Sequence, residues 1–181
     1  MVKLNNHKNV SFLISGSGSN LLEILKKNRK GKNFKIITII SNNKIPTKIK
    51  SYLAKFHKDV LVREYQRSLQ KKNFYDTDVI FSVGYMKVIE KSIIKNFDVI
   101  NLHPSILPNY KGLMTQKRML INKKKYYGFT IHKVSPELDD GQTISNKTKI
   151  INTKNETELL KKHKRLEHEF VYKQFIDYLL N

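Results

Sequence analysis

Short apolar runs alternate with segments of helical character along this chain, and this alternation constrains the fold more than any other feature. Residues 34–41 read Phe-Lys-Ile-Ile-Thr-Ile-Ile-Ser, and a helical segment follows them at 46–57. Such β-branched runs are typical of parallel strands that are covered on both faces. Repeated strand–helix units of this kind predict a parallel sheet.

The same pattern assigns an element to most of the chain. We predict strands at residues 9–14, 34–41, 59–62, 78–83, 99–103, 128–134 and 143–151. We predict helices at residues 21–27, 46–57, 65–72, 90–95, 113–122 and 156–180. Because 181 residues are too few for two ordinary domains, we expect one domain over 1–181. The predicted fold class is α/β, a single Rossmann-like sheet, mostly parallel with an antiparallel C-terminal part, and helices on both faces.

Composition limits the classes of function. The chain has no Cys, so it can form neither a disulfide framework nor a Cys-based zinc site. No apolar run approaches the length of a membrane span, and residues 1–9 lack the apolar core of a signal peptide, so we expect no membrane association and a cytoplasmic location.

The formal charge of +20 raises nucleic acid as a partner. However, Lys is spread along the chain rather than clustered, and the basic-aromatic run 123–127 is short. We therefore expect no dedicated nucleic-acid role, and we expect the charge to attract small anionic substrates.

One stretch, residues 99–108, carries the clearest chemical pattern. Val99 and Ile100 lead into a strand, and Asn101 and His103 follow on one face of it by the period-two rule. Pro104 ends the strand, which places the amide and the imidazole at its C-terminal end, where open α/β sheets bind ligands. An amide donor beside a titratable imidazole suits acyl transfer, although such a pair standing alone is more often structural.

Two further segments are ambiguous by themselves. The turn 15–20, Ser-Gly-Ser-Gly-Ser-Asn, joins a strand to a helix, where backbone N–H groups favour an anion. It matches neither a Walker A sequence nor a full dinucleotide fingerprint, and a tight turn with Ser19 as helix N-cap explains it equally well. On the predicted strand 128–134, His132 shares a face with Thr130, and a packed, hydrogen-bonded histidine competes there with a catalytic one.

The residues Asn101 to Pro108 resemble, almost letter for letter, the Asn-[Ile/Leu/Phe]-His-Pro-Ser-Leu-Leu-Pro segment of folate-dependent formyltransferases. Extended through Leu138-Asp139-Asp140-Gly141, the resemblance is to the members that act on glycinamide ribonucleotide, and it covers about residues 10–178. It implies formyl transfer from 10-formyltetrahydrofolate to the amine of that phosphorylated small molecule, in de novo purine biosynthesis. No metal is implied, and we expect a monomer or a weak homodimer.

The resemblance also assigns roles to residues. It implies Asn101, His103 and Asp139 as catalytic. It implies acceptor contacts at Gly18, Ser19, Asn20 and Glu167, and Lys164 lies one turn before Glu167 as a plausible phosphate or ribose contact. It implies a folate site at Met86, Lys87, Val88, Ile89 and Asp139, although composition alone would place Met86 and Ile89 in the core. The phosphate-binding half would then be 1–83, and the folate-binding and catalytic half 84–181.

Three departures from the family pattern bear on the substrates. Lys87 stands where the family usually has Arg, and Asp140 stands at a glycine position. Residues 114–116 read Met-Thr-Gln where relatives usually have His-Thr-His, which removes two imidazoles near the acceptor end. The alternatives are therefore a sugar-nucleotide N-formyltransferase that uses the same donor, or a non-catalytic folate- or nucleotide-binding relative.

Overall fold

A computed structural model describes residues 7–181 of the chain. The strands are β1 (Asn9–Ile14), β2 (Lys35–Ser41), β3 (Leu61–Arg63), β4 (Val79–Ser82), β5 (Asp98–His103), β6 (Tyr126–Lys133) and β7 (Thr143–Ile150). The helices are α1 (Ser19–Gly31), α2 (Thr47–Phe56), α3 (Lys91–Asn96), α4 (Thr115–Ile121) and α5 (Glu156–Leu180). The chain divides into two compact units, Met1–Val99 and Ile100–Asn181.

The first unit is a parallel β/α arrangement. Strand β1 pairs in parallel with β2 on one side and with β4 on the other, and β2 pairs in parallel with β3. Almost every side chain of β1 and β4 is buried, as are most of those of β2. This burial explains why these strands read as continuous apolar runs rather than as alternating ones.

The helix predicted over 65–72 is wrong. The structure has a single 3₁₀ turn, Lys71–Phe74, in this region. Tyr65 adopts a left-handed conformation (φ 55°), and the backbone N–H of Gln66 donates to the carbonyl of Ser41 at 2.9 Å. The backbone N–H of Leu69 donates to the Glu90 carboxylate at 2.8 Å. The donors of this segment are therefore used by groups outside it, which a local reading of helix propensity does not capture.

The second unit is antiparallel. Strand β5 pairs antiparallel with β6, and β6 pairs antiparallel with β7. Helix α5 begins where the sequence predicts, because Asn155 caps it by accepting a hydrogen bond from the backbone N–H of Glu158 at 2.9 Å. A small core of Met119, Tyr127, Ile151 and Leu159 joins α4, the β6–β7 hairpin and α5.

The predicted fold class is confirmed. The seven strands form one mixed sheet in the order β3-β2-β1-β4-β5-β6-β7, with parallel pairing in the first unit and antiparallel pairing in the second. Across residues 7–181, no helix combines the length and apolarity that crossing a membrane requires.

Candidate active site

Two strands of the second unit bring the predicted amide and imidazole next to further polar side chains. Asn101 and His103 occupy the last part of β5, and their antiparallel partners on β6 are His132 and Thr130. His103 is only 4% exposed, whereas Asn101 is half-buried. Residues that face each other across an antiparallel pair have adjacent side chains, so β6 adds His132 to the predicted pair.

His103 lies between two hydrogen-bond acceptors. Its Nε2 is 3.0 Å from the carbonyl oxygen of Tyr110, and its Nδ1 is 3.2 Å from Oδ2 of Asp139. A neutral imidazole carries one N–H and can donate to only one of these oxygens, whereas an imidazolium donates to both. The geometry therefore accommodates either protonation state of His103 and favours the charged one.

Burial acts in the opposite direction. Removal from water lowers the pKa of His103 below its ordinary value, and the positive charge of Arg118 lowers this pKa further. The Asp139 carboxylate and the hydrogen bond to the Tyr110 carbonyl partly offset that lowering. Arg118 also holds the Tyr110 carbonyl in place, since its Nη2 donates to that oxygen at 2.9 Å. These opposed influences act on an imidazole whose two nitrogens both adjoin hydrogen-bond acceptors, a setting that suits a proton carrier.

Asp139 is fixed at both its backbone and its side chain. Its backbone is left-handed (φ 49°), a conformation that Asp tolerates better than most residues. The backbone N–H of Gly112 donates to Oδ2 at 2.8 Å, while Oδ1 lies 3.7 Å from Nε2 of His132. The carboxylate is thus held against both histidines, with its side chain only 10% exposed.

His132 belongs to this constellation, although the sequence did not distinguish it from a packed core histidine. Its Nδ1 donates to the carbonyl of Lys133 at 2.8 Å, so in the neutral ring Nε2 can accept from Nδ2 of Asn101 at 3.1 Å. Burial lowers the pKa of His132, which favours that neutral ring. The contact fixes which way the Asn101 amide faces and leaves its second N–H for a ligand. The alternation with Thr130 was the available signal, but its meaning depended on the pairing with β5.

The glycine-rich turn lies in the first unit, and its geometry corrects one interpretation. Gly18, not Ser19, precedes the first residue of α1, so the N-cap residue has no side chain with which to cap the helix. Gly18 is left-handed (φ 58°), and a Cβ there would clash with the side chain of Ile49. The turn therefore presents backbone at the start of α1, which is compatible with the anion-binding role expected of Gly18, Ser19 and Asn20.

The expected folate segment is anchored to the end of β1. Ser15 donates its backbone N–H to the carbonyl of Gly84 at 3.0 Å, and the backbone N–H of Met86 donates to Oγ of Ser15 at 2.7 Å. Met86 is 65% exposed and Val88 is 82% exposed, so the expectation that Met86 belongs to the core is wrong. Ile89, at 8%, is a core residue.

Lys87 lies in the same segment, where its Nζ donates to the carbonyl of Arg67 at 3.3 Å. The remaining candidates lie on α5. Glu167 is buried at 7% exposure, with Oε1 3.2 Å from Nδ1 of His163, and Lys164 is half-buried. Among residues 7–181, no group of three or more His, Asp or Glu side chains is arranged to hold a metal ion.

The chain matches the formyl transferase family over residues 8–175. It is similar to phosphoribosylglycinamide formyltransferase of Haemophilus influenzae, with 30% identity over 155 residues that cover 76% of this chain and 70% of that protein. It is also similar to the trifunctional purine biosynthetic protein adenosine-3 of Gallus gallus, with 29% identity over 157 residues. That match covers 77% of this chain and 15% of the longer protein, so the chain spans a small part of such relatives.

The chain is also similar in structure to a solved protein. Phosphoribosylglycinamide formyltransferase from Campylobacter jejuni superposes with a TM-score of 0.78 at 28% identity. The superposition covers 94% of this chain and 97% of that one.

Proposed function

The chain belongs to the formyl transferase family, and on that premise we propose that it transfers a formyl group from 10-formyltetrahydrofolate to the amine of glycinamide ribonucleotide, a step of purine biosynthesis. The observation that carries the proposal is the position of His103 between Asp139 and the Tyr110 carbonyl, beside an Asn101 amide oriented by His132. These groups provide the oxyanion donors and the proton carrier that acyl transfer to an amine requires.

In the proposed reaction, the acceptor amine attacks the formyl carbon, forming a C–N bond and a tetrahedral oxyanion. The free N–H of the Asn101 amide and the Nε2–H of His103 donate to that oxyanion. In the free protein Nε2 faces the Tyr110 carbonyl, so His103 exchanges this acceptor for the oxyanion when substrates are bound. The developing negative charge then favours the charged imidazole, against the effect of burial on the His103 pKa.

Collapse of the intermediate breaks the bond between the formyl carbon and N10 of the folate. The leaving nitrogen needs one proton, and the attacking amine must lose one. We assign the first transfer to His103 and the second to Asp139, directly or through a water molecule, because the Asp139 carboxylate adjoins His103 Nδ1 at 3.2 Å. The products are the formamide and tetrahydrofolate, and neither an oxidant nor a metal takes part in these steps.

We assign the binding roles on the pattern that the family resemblance implies. The exposed side chains of Met86 and Val88 would contact the folate, together with Lys87, Ile89 and Asp139. Backbone at Gly18, Ser19 and Asn20 would hold the phosphate of the acceptor, and Glu167 with Lys164 on α5 would contact its remaining polar groups. A purine-biosynthetic role also agrees with the cytoplasmic location expected from the sequence.

The test is an acceptor panel with 10-formyltetrahydrofolate, in which release of tetrahydrofolate is followed spectroscopically. Glycinamide ribonucleotide should give the highest kcat/KM. A higher value with an amino-sugar nucleotide would identify that molecule as the acceptor and would agree with the departures from the family pattern at Met114 and Gln116. Folate binding without turnover of any amine would overturn the enzymatic proposal itself.

A further inference from the structure

A buried histidine–carboxylate pair lies on α5, apart from the groups assigned above to oxyanion stabilisation and proton transfer. His163 is 1% exposed and Glu167 is 7% exposed. Nδ1 of His163 lies 3.2 Å from Oε1 of Glu167, one helical turn along, and Nε2 lies 2.8 Å from the carbonyl oxygen of Gly128 on β6. Residues four apart on a helix face the same way, so α5 itself brings the two side chains together.

The two contacts of the ring fix where protons must lie. The carbonyl oxygen of Gly128 can only accept, so Nε2 of His163 carries a hydrogen. A bare Nδ1 would place its lone pair against an oxygen of Glu167 inside the protein, an arrangement that costs free energy unless a proton lies between them. His163 and Glu167 therefore share a proton, as imidazolium with carboxylate or as imidazole with carboxylic acid.

A residue of helix α4, Gln116, also lies next to the His163 ring. Nε2 of Gln116 is 3.5 Å from Nδ1 of His163, at the limit of a hydrogen bond and longer than the contact with Glu167. Gln116 stands at one of the two positions where the family pattern described in the sequence analysis implies an imidazole. In this chain the imidazole beside that position is supplied by α5 instead.

We infer that His163 is a positioning residue for acceptor recognition, holding the Glu167 carboxylate in the rotamer and charge state in which it binds an amine or a ribose hydroxyl. This inference rests on the proposed function, since Glu167 acts there as an acceptor-binding residue. His163 reaches the substrate only through Glu167. Its second bond, to Gly128 of β6, ties the orientation of the ring to the sheet rather than to the helix alone.

Two substitutions separate the two bonds of the ring. His163→Asn places an amide donor near the position of Nδ1 and so keeps the contact with Glu167. His163→Gln places the donor near Nε2, so it keeps the bond to Gly128 and loses the one to Glu167. His163→Gln should raise the KM for glycinamide ribonucleotide about tenfold, in line with the loss of one hydrogen bond to a charged group. Its kcat should change little, and folate affinity should be unchanged. His163→Asn should stay close to wild type in KM.

A double-substitution cycle shows whether the effect passes through Glu167. Glu167→Gln should raise the same KM, and adding His163→Gln to it should cause little further loss, because the partner is already gone. Additive effects would mean that His163 acts independently of Glu167. Thermal unfolding of each variant identifies any that simply fail to fold.

A spectroscopic measurement tests the pair without any activity. The ¹⁵N chemical shift of His163 Nδ1 should be that of a nitrogen hydrogen-bonded to Glu167 in the wild type and should change in Glu167→Gln. If this chemical shift were the same in Glu167→Gln as in the wild type, His163 and Glu167 would not share a proton. If the wild type releases no tetrahydrofolate with glycinamide ribonucleotide, the proposed function fails and the inference falls with it. An active wild type whose KM is insensitive to His163→Gln overturns the inference alone.

Discussion

The backbone N–H of Gly112 donates to Oδ2 of Asp139 at 2.8 Å, the same oxygen that faces His103. This bond joins the loop after β5 to the loop after β6 at the carboxylate of the candidate active site. One residue earlier and one residue later on the two loops, Lys111 and Asp140 form an ion pair. Asp140, which stands at a glycine position of the family pattern, therefore has Lys111 as a partner. Their ion pair lies beside the hydrogen bond that positions Asp139 and is more exposed than it.

Replacing His103 with Ala should lower kcat by about two to four orders of magnitude, because the substitution removes the side chain proposed above as both oxyanion donor and proton carrier. Folate binding, measured by fluorescence titration, should persist, since the side chain is required for the reaction rather than for the donor site. The matched control is His7→Ala, an exposed histidine outside the site. A kcat within a few-fold of wild type would show that the central assignment is wrong.

Asp139→Asn keeps the size of the side chain and removes its charge. The carboxylate raises the pKa of His103 against the effect of burial, so the variant should have a still lower His103 pKa. Activity that needs the charged imidazole is lost as pH rises through that pKa. The descending limb of the kcat profile should therefore move to lower pH, and kcat at neutral pH should fall by about two orders of magnitude or more.

The neighbouring carboxylate provides the control for that experiment. Asp140 is half exposed and pairs with Lys111, so Asp140→Asn should change kcat by less than about threefold, as expected for a surface ion pair. If the two variants behaved alike, the chemistry would not depend on the contact between Asp139 and His103.

Gly141→Ala should destabilise the protein by about 1–3 kcal/mol or more, the range for an added group in a closely packed place. A Cβ at this position would clash with the carbonyl oxygen of Lys133 and lie 2.7 Å from its carbon. That carbonyl also accepts from His132, so activity should fall with stability. Gly16→Ala is the control, because within residues 7–181 no heavy atom beyond the adjoining residues lies within 4 Å of a Cβ there. Equal melting temperatures for the two variants would show that a Cβ at position 141 is not crowded by Lys133.

Acid should destabilise the fold through His132. Burial holds the pKa of His132 below its ordinary value of 6.5, so the unfolded chain binds more protons than the folded one below about pH 6.5. His132 therefore contributes fully to the free energy of unfolding above about pH 6.5. This contribution is lost as pH falls toward the lower pKa that His132 has in the folded protein. Urea unfolding at pH 7.5 and 5.5 should show this loss. His132→Asn should show a smaller difference between the two pH values, and an equal or larger one would refute the assignment.

The sequence was most informative where function depends on local order. Membership of the formyltransferases, the mixed sheet and the placement of Asn101 and His103 at the end of β5 all depended on short motifs and period-two alternation. The contribution of His132 could not be foreseen, because it depends on which residue of β6 faces Asn101. His163 was overlooked for a similar reason, since its partner Gly128 lies 35 residues away along the chain. The helix predicted over 65–72 failed because tertiary hydrogen bonds replaced the local ones.

All the groups assigned to proton transfer and oxyanion stabilisation come from one uninterrupted stretch, Asn101 to Asp139, within the second unit. Because one continuous segment supplies all of these groups, recombination at a breakpoint outside the segment would transfer them together. Their hydrogen bonds to one another would stay intact. On the proposed assignment of helix α5 to acceptor binding, acceptor preference could change by exchange of the C-terminal segment while the proposed chemistry is retained.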